Sequence, residues 1–146
     1  MDAIVKIKMN KGDEDLFPVK AHPDDAAADL RARMDVELVP GKSVLVPTGV
    51  FMELPVGYEA QVRPRSGLAI KHNLFVTNSP GTIDAGYRGE VSVIMFNPNK
   101  ESYFIKRGDR IAQMVIAKLP EVEFLAVDML SLSERGPGGF GSTGTN

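Results

Sequence analysis

The chain contains no cysteine, which excludes disulfides, thiolate catalysis and sulfur-ligated zinc. Histidine is nearly as scarce. His22 and His72 are the only two, too few for a histidine-based metal cluster. No run of about 18 apolar residues is present, so nothing reads as a membrane-spanning helix, and Met1–Lys11 lacks the apolar core of a signal peptide. A cytoplasmic, intracellular location is the expectation. Positive charge is not in excess either: 17 Lys and Arg against 19 Asp and Glu give a net charge of -2, with a pI near 5.7. This argues against a general nucleic-acid surface, which needs a basic face. Any polyphosphate must then be held by a few placed cations.

What is present suits one ordinary soluble domain: 146 residues, 43% hydrophobic and 25% charged, enough to bury a core without staples. The hydrophobic pattern has a period of two, the signature of strands. Ile4–Met9, Tyr58–Pro64, Glu90–Asn97 and Arg110–Leu119 alternate, and Val44–Val46, Gly49–Leu54, Leu74–Thr77 and Tyr103–Ile105 are shorter β-prone runs. Turn signals separate them at Pro40-Gly41, Pro55-Val56-Gly57, Ser79-Pro80-Gly81, Asn97-Pro98-Asn99 and Arg107-Gly108-Asp109. Only Gly67–His72 suits a short helix. The spacing predicts an all-β sandwich or barrel with no repeat and no second domain.

Four segments carry more polar chemistry than a plain sandwich needs. In Arg63-Pro64-Arg65-Ser66-Gly67 a strand ends in arginines, a serine and a glycine at the start of the short helix. Free N–H groups there, with Arg65 and Ser66, suit an anion; a serine N-cap with solvated arginines is the alternative. In Asn78–Gly89, Asp84 follows isoleucine in an otherwise apolar element, where a carboxylate is costly to bury unless it is used. A general base or a turn cap would each explain it, and Tyr87 suits either core packing or a platform under a sugar or base. In Arg107–Met114, Ile111, Gln113 and Val115 share one face of a strand, so Gln113 requires a partner, a phosphate oxygen or a backbone group. The triplet Arg107-Gly108-Asp109 runs straight into that strand and is not read as an adhesion signal.

The fourth segment is the last twelve residues, Arg135–Asn146, which hold five of the fourteen glycines. So glycine-rich a stretch resists regular structure. It is either an inert terminus or an arm for a ligand with a ring and phosphates, using Arg135, Phe140 and a backbone nest.

Taken in order and together with Ala26–Leu30, these four segments resemble the five motifs of the trimeric deoxyuridine triphosphatase (dUTPase) family. They are Ala26-Ala27-Ala28-Asp29-Leu30, Pro64–Ala69, Gly81–Gly89, Arg107–Met114 and Arg135–Gly144. The family usually has glycine where Ala27 stands. The resemblance implies a jelly-roll-like β-barrel over residues 1–134 with one short helix, and a flexible arm over 135–146 that closes on the active site. It implies hydrolysis of dUTP to dUMP and pyrophosphate with Mg2+, by water attack at the α-phosphorus, which keeps uracil out of DNA and supplies dUMP for dTMP synthesis. It also implies a homotrimer with active sites shared between subunits, and neither nucleic-acid nor membrane partners.

Carried onto this sequence, Asp84 resembles the base that activates water, and Tyr87 the ring beneath the deoxyribose. Asn78 with Gly81, Thr82 and Ile83 is similar to the hairpin that reads uracil. Arg65, Ser66, Gly67 and Gln113 resemble a phosphate grip from a neighbouring subunit, and Asp29 the acid that reaches magnesium through water. Arg135 resembles a phosphate clamp, Phe140 with Gly141 the part of the arm that stacks on uracil, and Ser142 and Thr143 contacts to the outer phosphate. Two rivals remain. The related dCTP deaminase family shares this fold, but its chemistry resembles one that needs a glutamate on the strand after the Ile-Asp hairpin to shuttle protons, and Val91–Asn97 holds no acid. A non-catalytic trimeric binding module is the other.

Overall fold

The computed structural model describes residues 2–144. Ten strands, one short helix and a single 3-10 turn make up its regular structure. The strands are β1 Lys6–Met9, β2 Ala28–Arg31, β3 Val36–Leu38, β4 Ser43–Glu53, β5 Tyr58–Arg63, β6 Phe75–Val76, β7 Gly81–Ile83, β8 Glu90–Phe96, β9 Tyr103–Ile105 and β10 Arg110–Lys118. The helix α1 spans Ser66–His72, one residue longer than predicted. The all-β architecture with one short helix is therefore as expected. The ladders form two antiparallel four-stranded sheets, in the orders β1-β4-β8-β6 and β2-β10-β5-β7, beside a β3-β9 ribbon. They do not close into one barrel among the described residues.

Alternation explains which faces are buried. In β8, Val91, Val93 and Met95 lie inside while Glu90, Ser92, Ile94 and Phe96 are half-buried, and in β5 Ala60 and Val62 point inward. Both sheets and the ribbon contribute to one core in which Leu30, Leu38, Val46, Val50, Val93 and Ala112 are fully buried. Val5, just before β1, and Ile7 and Met9 within it pack against this core.

Two predicted runs, Val44–Val46 and Gly49–Leu54, belong to one strand, β4, of 11 residues. Its register against β8 shifts between Pro47 and Val50. Gly49 sits there at φ 74°, a left-handed conformation that glycine adopts at no steric cost. A second bulge, between Arg110 and Ala112, inserts Ile111 as an extra residue opposite β2. Ile111 is consequently buried in the core and does not continue the face of Gln113, contrary to the unbroken alternation expected.

Asn97 is the polar keystone of the ribbon side. It is fully buried, and its Nδ2 donates to the carbonyls of Leu38 and Glu101, both at 2.9 Å. Its Oδ1 accepts the Asn99 backbone N–H at 3.0 Å. A second network ties the chain start to the fourth motif. Arg107 grips both Asp15 oxygens at 2.8 Å and reaches Asp13 at 3.2 Å, while Arg33 Nε donates to Asp13 at 2.6 Å. Burial pushes the Asp13 carboxyl up, but the bonds from Arg33 and Arg107 outweigh it and hold it below its usual range. The Arg107 hydrogen bonds lower Asp15 in the same way, and Arg107 is raised in return, chiefly by Asp15 and then Asp13.

The last strand ends at Lys118. Residues 119–134, expected within the barrel domain, hold no strand and are exposed throughout. They include Phe124, Leu125, Met129, Leu130 and Leu132, each at least three-quarters exposed.

Candidate active site

Three adjacent strands build the first half of the site. β10 lies between β2 and β5, and its Gln113 pairs in register with Asp29 on one side and Arg63 on the other. Just beyond β5 the chain turns at Pro64 and Arg65 into α1, so Arg65, Ser66 and Gly67 arrive beside Asp29 and Gln113. These residues line a cleft of about 280 Å3 with Ala21, Asp25, Ala26, Ala27 and Arg110. Arg65 is extended at φ -91°, ψ 131° and precedes the helix without a side-chain cap. Ser66 is thus the first helical residue, not the N-cap that one reading expected. The first N–H groups of any helix lack intrahelical acceptors, and the first two helical residues, Ser66 and Gly67, line the cleft.

Asp29 organises the cleft electrostatically. Its Oδ1 lies 3.4 Å from Arg65 Nε and its Oδ2 3.4 Å from Arg110 Nη1, so one carboxylate holds two guanidinium groups in place. Gln113 Nε2 donates to the Pro64 carbonyl at 2.9 Å. The backbone partner envisaged for Gln113 is therefore real, and the residue lines the cleft as well. Arg110 is a site residue that the sequence reading misses. Its signal lies at the end of Arg107-Gly108-Asp109-Arg110, where the preceding turn masks it. Within that turn Asp109 Oδ2 accepts the Lys106 N–H at 2.9 Å. Ala27 lines the cleft too, so its methyl group occupies space that glycine would leave open.

The second half is the β7 hairpin. Gly81 and Ile83 are buried and Thr82 is exposed, the alternation of any strand, and β7 is an edge strand paired with β5 through Ala60–Ile83, Gln61–Thr82 and Val62–Gly81. Its outer edge leaves backbone groups available. The Asn78 side chain lies against Gly81, where a Cβ would meet Asn78 Nδ2 at 3.1 Å. Asp84 follows at the strand end and is exposed, so the cost of burying it does not arise within one chain. Tyr87 is 46% exposed, as a platform would be and a core residue would not. Thr82, Ile83, Asp84 and Tyr87 line a second cleft, of about 260 Å3, with Glu90 and Ser92 among its other walls.

Within a single chain the two halves therefore line separate clefts. The arm joins neither. Arg135 Nε donates to the Gly138 carbonyl at 2.7 Å, and Ser142 and Gly144 N–H groups close turns onto Gly139 and Gly141. Phe140 is fully exposed, and Gly141, Ser142 and Thr143 stand beside it in the same exposed turns. Thr145 and Asn146 lie outside the described residues.

The dUTPase family model matches residues 14–144. The chain belongs to the dUTPase family. It is 53% identical over 141 residues to the deoxyuridine 5'-triphosphate nucleotidohydrolase of Gloeothece citriformis (strain PCC 7424), covering 96% of this chain and 97% of that one. It is 51% identical over 140 residues to the same-named protein of Clostridium tetani (strain Massachusetts / E88), covering 96% of each. Among solved structures, a mutant dUTPase of Staphylococcus bacteriophage 80alpha with dUpNHpp superposes with a TM-score of 0.83 at 28% identity, covering 97% of this chain and 99% of that one. A mutant dUTPase of phage phi11 of S. aureus, described with a structural Mg(II) ion, superposes with a TM-score of 0.79 at 24% identity over 86% of this chain and 97% of that one. At that identity it speaks for the fold alone.

Proposed function

We propose that the protein hydrolyses dUTP to dUMP and pyrophosphate. The observation that carries this reading is the pair of clefts: one holds Arg65 and Arg110 on a single carboxylate beside Gln113 and a helix start, the other an exposed Asp84 beside an exposed ring. The first suits a polyphosphate, since guanidinium forks and free N–H groups satisfy phosphate oxygens. The second suits a nucleoside. The free edge of β7 offers backbone donors and acceptors to a uracil edge, Asn78 lies beside it, and Tyr87 offers a face to the sugar. Uracil read by such groups would leave them unpaired against cytosine, while a tight wall excludes the thymine methyl.

A triphosphate nucleoside needs both clefts at once, and one chain keeps them apart. A homotrimer with shared sites accounts for this, each site taking its phosphate grip from a neighbouring copy. The exposed apolar residues between Leu119 and Leu132 support such an assembly, because a stretch that apolar is a surface for association. In this arrangement Asp84 accepts a proton from the water that attacks the α-phosphorus. Arg65, Gln113 and the helix start hold the negative oxygens, so positioning and electrostatics supply most of the rate. The arm then closes: Arg135 on phosphate, Phe140 on uracil, Ser142 and Thr143 on the outer phosphate.

The carboxylates of the first cleft, Asp25 and Asp29, are consistent with Mg2+. Asp25 accepts the His22 N–H at 2.8 Å, and both Asp29 oxygens face guanidinium groups at 3.4 Å, so Asp29, the acid that the family resemblance assigns to the ion, would reach it through water. Magnesium keeps several waters and is commonly bound by one or two carboxylates plus substrate phosphates. No group of three or more acidic or histidine ligands occurs among the described residues, which fits that mode better than a protein cage. When bound, the ion neutralises charge on the phosphate oxygens. No helix among the described residues is long and apolar enough to cross a membrane.

Asp84→Asn tests the reading. Turnover should fall roughly 10²–10⁴-fold, the usual share of a general base, while dUTP binding and oligomeric mass stay as in the wild type. Near-normal pyrophosphate release would remove Asp84 from the mechanism.

A further inference from the structure

Gly89 ends the third motif, Gly81–Gly89, and has no side chain to offer a substrate. Its surroundings are unusual. A Cβ built there would lie 2.6 Å from Tyr87 Cζ and 2.9 Å from Tyr87 Cε2, and closer still to the hydroxyl oxygen. Its φ is not in the left-handed region, so the backbone itself does not require glycine. What requires it is the Tyr87 side chain, whose hydroxyl end rests directly on the Gly89 backbone. The same hydroxyl donates to the Glu90 carbonyl at 3.0 Å, and the Tyr87 N–H closes the hairpin on the Asp84 carbonyl at 3.1 Å. The ring is thus held at its base by the turn, at its tip by a hydrogen bond, and from beneath by a missing side chain.

We infer that Gly89 is a specificity-determining position: by admitting the Tyr87 ring against the backbone, it fixes the surface that separates 2′-deoxyribose from ribose. This rests on the reading of Tyr87 as the sugar platform. With its hydroxyl engaged by Glu90, the ring offers only apolar carbon to a sugar. A 2′-hydroxyl pressed against that carbon would lose water without gaining a partner, and unpaired polar groups are what polar discrimination penalises. The rejection therefore depends on where the ring sits. Ordinary contact begins near 3.4 Å, so a methyl group at residue 89 would force the ring to withdraw on the order of 1 Å and break its bond to Glu90. The deoxyribose would lose its platform, and the preference for dUTP over UTP would shrink. Glycine is a positioning residue here, acting through Tyr87.

The test compares kcat/KM for dUTP and UTP in the wild type, Gly89→Ala, Tyr87→Ala and the double variant, with melting temperature and oligomeric mass recorded for each. Gly89→Ala should lower the dUTP:UTP ratio roughly tenfold or more, the scale set by tight steric pockets. In the Tyr87→Ala background it should change the ratio no further. A ratio that falls in Tyr87→Ala but holds in Gly89→Ala overturns the role of Gly89, as does an additive effect in the double variant. A ratio that holds in Tyr87→Ala overturns the platform reading itself and the inference with it. Should Gly89→Ala fail to fold, Tyr87→Phe decides: it removes the hydroxyl that rests on Gly89 and bonds to Glu90, so a lowered ratio sustains the inference and an unchanged one overturns it.

Discussion

Replacing Phe140 with alanine isolates what the arm does, because the side chain makes no packing contribution in the free chain. It is fully exposed at relative accessibility 114%, and the hydrogen bonds around it are internal to the arm, from Arg135 to Gly138, Ser142 to Gly139 and Gly144 to Gly141. Its φ of 51° costs alanine and phenylalanine alike. The change in folding stability should therefore stay within about 0.5 kcal/mol, the range of unengaged surface positions. A ring that stacks on a base contributes roughly 1–3 kcal/mol, which corresponds to a loss of about 5- to 150-fold in kcat/KM for dUTP. Ordering each arm residue costs about 1–2 kcal/mol, so the proposed closure would need the stack as well as the phosphate contacts. The assay is pyrophosphate release under kcat/KM conditions, paired with urea denaturation. Wild-type kcat/KM would refute the stacking role. A clear drop in stability would refute the premise that Phe140 is unengaged.

Three further outcomes are expected. Asn97→Ala strips the fully buried Leu38 carbonyl of its donor, costing about 1–3 kcal/mol in urea denaturation; a loss no larger than that of an exposed substitution would show that the ribbon does not depend on it. Because Asp13 and Asp15 are held below their ordinary value of 3.8 by arginine partners, their stabilisation is present above that pH and is lost as pH falls through the lowered values. Melting temperature should accordingly decline in that acidic window, and less steeply in Asp13→Asn; identical profiles would sink the network's role. Leu130 and Leu132, 85% and 101% exposed in one chain, should be covered between subunits. Changing both to serine should shift mass-photometry or sedimentation profiles toward smaller species, and an unaltered mass would place the interface elsewhere.

The strands that bury one face were legible because alternation is local. β5, β8 and β10 carry their own signal in Ala60-Val62, Val91-Val93-Met95 and Ala112-Met114. β2 lies outside the runs predicted as strands. Its four residues, Ala28–Arg31, are extended because Gln113 and Met114 of β10 pair with Asp29 and Ala28, a partnership between distant parts of the chain. The same distance hid Arg110, whose meaning appears only when Asp29 lies 3.4 Å away. β4 read as two runs because the bulge at Pro47–Gly49 interrupts alternation without ending the strand. The residues of the candidate site were legible as motifs in order, yet their division between two clefts follows from sheet order, which no local pattern encodes. Least legible were residues 119–134, since an apolar stretch looks the same in a sequence whether it fills its own core or a neighbour's.

Pyrophosphate release by the purified protein with magnesium, compared across dUTP, dCTP, dTTP and UTP, bears most directly on the function. Rapid release from dUTP and little from the other three is the expected result. Equal release from all four, ammonia release from dCTP, or no release from dUTP would contradict it.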